Sequence, residues 1–209
     1  MAARALPPLH LVTDDAVLAD PRFSERARAA LIAGGSELAL HLRGPALSGR
    51  RLFMLAEQIL PTVTAAGALL LINDRVDVAL ACGAHGVQLG ARGIPTADAR
   101  RLLGDRPLLG VSVHSVEEAQ AAPGADFLLV GTLFATASHP ERAGAGTQIL
   151  QRLADLGLPR VGIGGITPER VAEVRRAGAA GIAVLSGVWE ADEPEVAVEG
   201  YLTAWKRAA

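Results

Sequence analysis

The sequence predicts an α/β protein, a (β/α)8 TIM barrel forming one domain over residues 1–209, and three observations carry that expectation. Short apolar runs alternate with amphipathic runs rich in Ala, Arg and Glu, the pattern of strands and helices around a parallel sheet. Eight such pairs can be counted, and 209 residues leave about 26 for each, which is compact but workable for a barrel. No linker, low-complexity stretch or shift in composition divides the chain. A doubly wound open sheet is the runner-up.

Strands are expected at 9–14, 37–43, 68–74, 86–90, 108–114, 125–131, 159–165 and 181–187. Helices are expected between and after them, at 24–33, 48–66, 75–82, 95–103, 115–122, 148–156, 168–177 and 195–206. Their ends carry the right chemistry. Ser115 with Glu118 three residues on reads as a capping box, and Thr167-Pro168 puts a cap before a first-turn proline. Gly34, Gly67, Gly83, Gly104 and Gly178 each stand where a helix should stop.

Composition narrows the function classes. Half the residues are hydrophobic and 20% are charged, so the chain has a core to bury and is not a solvated, disordered one. The net charge is −2 and no basic block follows the chain, which argues against nucleic acid as a partner. Aromatic residues make up only 3%, leaving no stacking platform for bases and no aromatic belt for a membrane. The apolar run at 65–72 is far shorter than a bilayer span, and residues 1–15 lack the apolar core of a signal peptide. Cys82 is the only cysteine, which excludes an intrachain disulfide and suits a reducing cytoplasm. A homo-oligomer is left open.

In a TIM barrel the reacting groups come from the C-terminal strand ends and the loops behind them. Alternation turns Leu38, Leu40 and Leu42 toward the helices, so His41 and Arg43 point into the barrel near its mouth. By the same rule Leu109, Val111 and Val113 face outward, and Ser112 and His114 inward. Gly164-Gly165 ends the seventh strand and Ser186-Gly187 the eighth, the two loops at which barrels often bind phosphate on bare backbone N–H groups. Asn73-Asp74 closes the third strand, where a carboxylate can hold Mg2+ if another stands nearby; the bland alternative is a local turn and cap. The segment 132–148, with Thr132, Thr136, Ser138, His139, Glu141 and Arg142, reads as a lid over the mouth or simply as a surface loop. His10 and His85 fall at the bottom face, where structural roles prevail. Cys82, Trp189 and Trp205 read as packing residues.

Several segments in order resemble the thiamine phosphate synthase and thiazole tautomerase (TenI) superfamily. They are Leu-Val-Thr-Asp at 11–14, His-Leu-Arg at 41–43, Ile-Asn-Asp-Arg-Val-Asp-Val-Ala at 72–79, Gly-Val-Gln-Leu at 86–89, Gly-Val-Ser-Val-His-Ser-x-Glu-Glu-Ala at 110–119, Gly-Ala-Asp at 124–126, Ile-Gly-Gly-Ile-Thr-Pro-Glu-Arg at 163–170 and Gly-Ile-Ala-Val-Leu-Ser-Gly at 181–187. The resemblance implies a barrel that binds a small phosphorylated thiazole, its phosphate on Gly164, Gly165, Ser186 and Gly187. It also implies departures from the synthase pattern. Pro45 stands where the synthase has a lysine, Gly93 where it has a second Mg2+ aspartate, and Thr136-Ala137-Ser138-His139 where it has Thr-x-Thr-Lys.

Those departures argue against the synthase reaction, which must stabilise a departing diphosphate. The leading expectation is therefore an isomerase, a thiazole tautomerase that aromatises a thiazole carboxylate phosphate by a proton shift without cofactor or metal. His139 and His114 are the expected acid and base, although the tautomerase's own histidine position after strand six holds Thr132. His41, Arg43, Asn73, Ser112, Thr132 and Thr136 are the expected substrate contacts. The alternative is a thiamine phosphate synthase with Mg2+ on Asp74 and the diphosphate on Arg43, and a third reading is a non-catalytic phosphate-binding protein of the thiamine pathway.

Overall fold

Each of the eight apolar runs forms a strand, and each strand pairs in parallel with its successor in the computed structural model, which describes residues 6–136 and 144–208. The strands are β1 (Leu9–Val12), β2 (Leu38–Leu42), β3 (Leu69–Asn73), β4 (Gly86–Leu89), β5 (Leu108–Val113), β6 (Phe127–Val130), β7 (Arg160–Ile163) and β8 (Gly181–Val184). β8 pairs back onto β1, with Leu9 opposite Ile182 and Leu11 opposite Val184, so the sheet is a closed barrel and the open-sheet alternative falls. Helices α1 (Asp15–Ala19), α2 (Phe23–Gly34), α3 (Gly49–Ala66), α4 (Val76–Cys82), α5 (Thr96–Leu103), α6 (Val116–Gln120), α7 (Gln148–Arg152), α8 (Val171–Arg176), α9 (Ser186–Trp189) and α10 (Pro194–Arg207) complete the alternation. Among the described residues, no helix is long and apolar enough to cross a membrane.

The observed strands are shorter than the apolar runs that predict them, chiefly at the C-terminal ends. The trimmed residues leave the ladder to make the mouth: Asp74 turns to φ 59°, and Gly164 and Gly165 to φ 103° and 60°. Two elements were not expected, α1 and the four-residue α9, both too short to show a helical period. Ser186-Gly187 consequently opens α9 rather than ending β8. The Ser115 hydroxyl does accept the Glu118 N–H at 3.2 Å, whereas Thr167 makes no capping bond and its helix opens as a 3-10 turn at Pro168–Arg170.

Leu38, Leu40 and Leu42 pack outward with the helices, each burial worth about 2 kcal/mol. The opposite face of the same strands fills the barrel with Val12, Ala39, Leu69, Leu71, Phe127, Leu129, Val161 and Ala183. This interior also holds three fully buried polar side chains, His10, His41 and Gln88. Gly110 makes room for them, since a Cβ there would stand 2.2 Å from both Gln88 Oε1 and the Phe127 ring. The seam between first and last units is clipped by Trp189, whose indole N–H donates to the Val12 carbonyl at 2.8 Å. Trp205 packs on α10 beneath the Arg175 guanidinium, 4.7 Å from its ring centre. Cys82 is buried, and burial raises its thiol pKa, which leaves it an inert packing residue.

Candidate active site

The C-terminal ends of the strands surround a cavity of about 560 Å³, and a smaller one of about 220 Å³ adjoins it beside Arg43, Asp74 and Arg92. Both volumes suit a small ligand. The larger cavity has an end made of charged side chains, an end made of backbone, and a polar floor between them.

The charged end is anchored by Thr13. Its buried hydroxyl accepts the Arg43 N–H at 2.9 Å and donates to the Arg43 carbonyl at 3.0 Å, holding the strand where it carries Arg43 into the cavity. Asp74 faces Arg43 from the end of β3. Its Oδ1 accepts the Gly90 N–H at 2.7 Å, so the carboxylate bridges to the next loop instead of capping α4. That loop fits closely: a Cβ on Gly93 would come within 3.2 Å of Asp74 Oδ1. It also places Arg92 in the walls of both cavities. No group of three or more His, Cys, Asp or Glu side chains that could hold a metal occurs among the described residues. A single carboxylate still fits Mg2+, which takes one or two protein carboxylates and completes its shell with water and substrate phosphate oxygens.

The backbone end is formed by Gly164-Gly165 and Ser186-Gly187. A Cβ on Gly165 would lie 2.5 Å from the Ala135 carbonyl oxygen, and φ 60° disfavours any L side chain there. Gly187 is held as tightly, with the Tyr201 hydroxyl 2.1 Å from where its Cβ would stand. That hydroxyl donates to the Ile166 carbonyl at 3.0 Å, fastening the loop after β7 to α10. Arg170 adds a cation. Its guanidinium lies over the Phe134 ring at 4.6 Å and donates to the Gly165 carbonyl at 2.7 Å.

Asn73, Ser112, Thr132, Thr136 and His114 line the cavity between these ends. Ser112 accepts a hydrogen bond from the Gln88 amide at 3.0 Å, and His114 is tethered through Nδ1 to the Glu118 carboxylate at 3.0 Å. His41, expected at the mouth as a substrate contact, lies instead in the barrel interior with no solvent exposure and does not line the cavity. It meets His10, expected at the bottom face, ring nitrogen to ring nitrogen at 2.7 Å. The register sets His10 opposite Ala39 and His41 opposite Val12, all on the inward face, so both rings point into the barrel. Burial lowers the pKa of His10 to about 4, and burial together with the neighbouring ring holds His41 well below the usual imidazole range. His85 accepts the Leu70 N–H at 2.9 Å. His139, the first choice as catalytic histidine, lies outside the described residues.

Arg92, Arg170, Gln88 and Tyr201 were not foreseen as site residues. Gln88 carried a usable signal, a polar residue at an inward position of an apolar strand. The other three carry none, because a loop arginine or a helix tyrosine acquires its place only from the tertiary fold.

Comparison with known proteins adds to this geometry. The sequence pattern of the thiamine monophosphate synthase family matches residues 9–188. A thiamine-phosphate synthase of Roseiflexus castenholzii is 42% identical over 196 residues, covering 90% of this chain and 84% of its own. That of Methanoculleus marisnigri is 44% identical over 184 residues, covering 86% of each. Among solved structures, a thiamine phosphate pyrophosphorylase from Pyrococcus furiosus superposes with a TM-score of 0.84 at 31% identity and 98% coverage of both chains. These relatives overturn the expected isomerase. The argument against synthase chemistry counted two missing lysines and one missing Mg2+ carboxylate by sequence position, whereas the cavity has Arg92 in the same wall as Asp74, from a loop where no cation was sought.

Proposed function

Because the chain belongs to the thiamine monophosphate synthase family, we propose that it is a transferase joining hydroxymethylpyrimidine diphosphate to a thiazole phosphate. The thiazole nitrogen attacks the pyrimidine methylene carbon, the C–N bond forms, the C–O bond to diphosphate breaks, and the leaving group departs with the bonding electrons. The products are thiamine phosphate and diphosphate. One observation carries the reading beyond the names of the relatives: a single cavity has an arginine-bearing end and a glycine-lined end, suited to two phosphorylated substrates.

In this mechanism Arg43 and Arg92 bind the diphosphate and offset the charge that builds on it as the C–O bond lengthens. Asp74 would hold Mg2+ together with diphosphate oxygens, and the ion, when bound, supplies further charge stabilisation to the leaving group. Gly164, Gly165, Ser186 and Gly187 receive the thiazole phosphate, with Arg170 in the same wall bracing the Gly165 carbonyl. Asn73, Ser112, Thr132 and Thr136 contact the two rings. No proton transfer is required, so His114 and His139 have no acid or base role in this reaction.

The test is direct. Protein incubated with both substrates and Mg2+ is expected to release thiamine phosphate and diphosphate in equal amounts, with release lost on chelation of the ion. Binding of both substrates without product would overturn the proposal.

A further inference from the structure

The histidine pair under the cavity floor has a forced direction. The Pro7 carbonyl can only accept, and His10 Nε2 lies 3.0 Å from it, so His10 carries its proton on Nε2. In the neutral ring Nδ1 is then an acceptor. His41 Nε2, 2.7 Å away, must be the donor, which in turn makes His41 Nδ1 an acceptor. Both rings are fully buried with lowered pKa values, His10 to about 4, so both are neutral at pH 7. The Asn73 amide lies close enough to His41 to act on its pKa, yet neither His41 Nδ1 nor Asn73 Oδ1, both buried, has a partner with hydrogen-bond geometry. Two neighbouring acceptors are thus left orphaned, and turning the amide over offers His41 Nδ1 a donor in place of an oxygen.

We infer that His10 and His41 are positioning residues that turn the Asn73 amide so that its NH2 donates down to His41 and its carbonyl oxygen faces the cavity, ready to accept an N–H donor from a substrate ring. The relay starts at the Pro7 carbonyl and ends at a site residue, and every step follows from the one before. Only the identity of the donor rests on the function proposed above, under which it is the exocyclic amino group of the pyrimidine. A ring bearing only acceptors at that edge would be rejected, because it would oppose Asn73 Oδ1 and leave both groups unpaired.

Long-range 1H–15N NMR of histidine-labelled wild-type protein at pH 7 tests the relay itself. His10 and His41 should both be neutral with the proton on Nε2; an Nδ1–H form or a protonated ring at either position overturns the inference. Kinetics test its consequence. His41→Phe should raise the KM for the pyrimidine diphosphate about tenfold, with kcat and the KM for thiazole phosphate within twofold of wild type. His41→Gln should recover most of the loss, since an amide also offers one donor and one acceptor. Equal losses in the two variants, or a rise in both KM values together, would mean a merely structural role and would overturn the inference. Absence of turnover in the wild type would overturn the synthase reading alone and leave the NMR result to decide the relay.

Discussion

The two ends of the mouth cavity are built from different material. At one end the groups that face a ligand are long side chains, Arg43, Asp74 and Arg92, delivered from three separate loops. At the other they are chiefly glycines and Ser186, fastened by Tyr201 and Arg170, which themselves reach the cavity wall. A side-chain site can exchange its members between positions and still supply the same charge, because a guanidinium reaches several ångströms from its backbone. A backbone site cannot, since its donors are fixed to the turn that presents them. Truncating a side chain should therefore damage the first end by lost charge, and adding a side chain should damage the second by lost space.

The largest expected effect tests the charged end. Arg43→Ala should lower kcat at least 100-fold, about 2.7 kcal/mol, with the Kd for thiazole phosphate unchanged in calorimetry. A weakened thiazole phosphate Kd would show that the two ends are not independent. Arg92→Ala should cut kcat/KM for the pyrimidine diphosphate about 30-fold, and an unaltered value would return the cation problem to the missing lysines.

At the backbone end, Gly165→Val should raise the Kd for thiazole phosphate at least tenfold, about 1.4 kcal/mol, in a variant shown by circular dichroism to be folded. An unchanged Kd would place the phosphate elsewhere. The smallest effect belongs to Ser186→Ala, at about fivefold in the same Kd, because it removes one neutral donor among several fixed ones.

Between the ends, the floor predicts a pH dependence of stability. His10 titrates near 6.5 when unfolded and at about 4 when folded, so the unfolded chain binds more protons between those values. Its contribution is complete at pH 7, declines as the pH falls below about 6.5, and is gone by about pH 4. For His10 alone the loss is about 3 kcal/mol, and His41 adds in the same direction. Urea denaturation at pH 7, 5.5 and 4.5 should show falling midpoints, and His10→Gln should flatten the trend.

The same contrast explains what could be read from the sequence. Strand alternation placed Leu38, Leu40 and Leu42 against the helices because sheet geometry leaves no other choice once a strand is half apolar. The Gly164-Gly165 and Ser186-Gly187 turns after β7 and β8 were visible as positions of small residues and bare backbone. Arg92 was not visible, since nothing local distinguishes a loop arginine that reaches a site from one that reaches water. His41 was assigned to the correct face but to the wrong depth, because alternation gives direction and says nothing of layer. The isomerase expectation, argued from lysines missing at Pro45 and His139 and a carboxylate missing at Gly93, is overturned by the synthase relatives, because residues counted position by position do not total the charge that a fold gathers in one cavity.

Tyr201 gives the backbone end a place in time as well as in space. The loop it fastens at Ile166 is synthesised 35 residues before it, so a nascent chain can pair β7 and β8 while the glycine turn still lacks its brace. Ligand capture at this end should thus lag behind closure of the sheet during synthesis, appearing only when α10 has emerged and docked. α10 is in that sense the helix that arms the site.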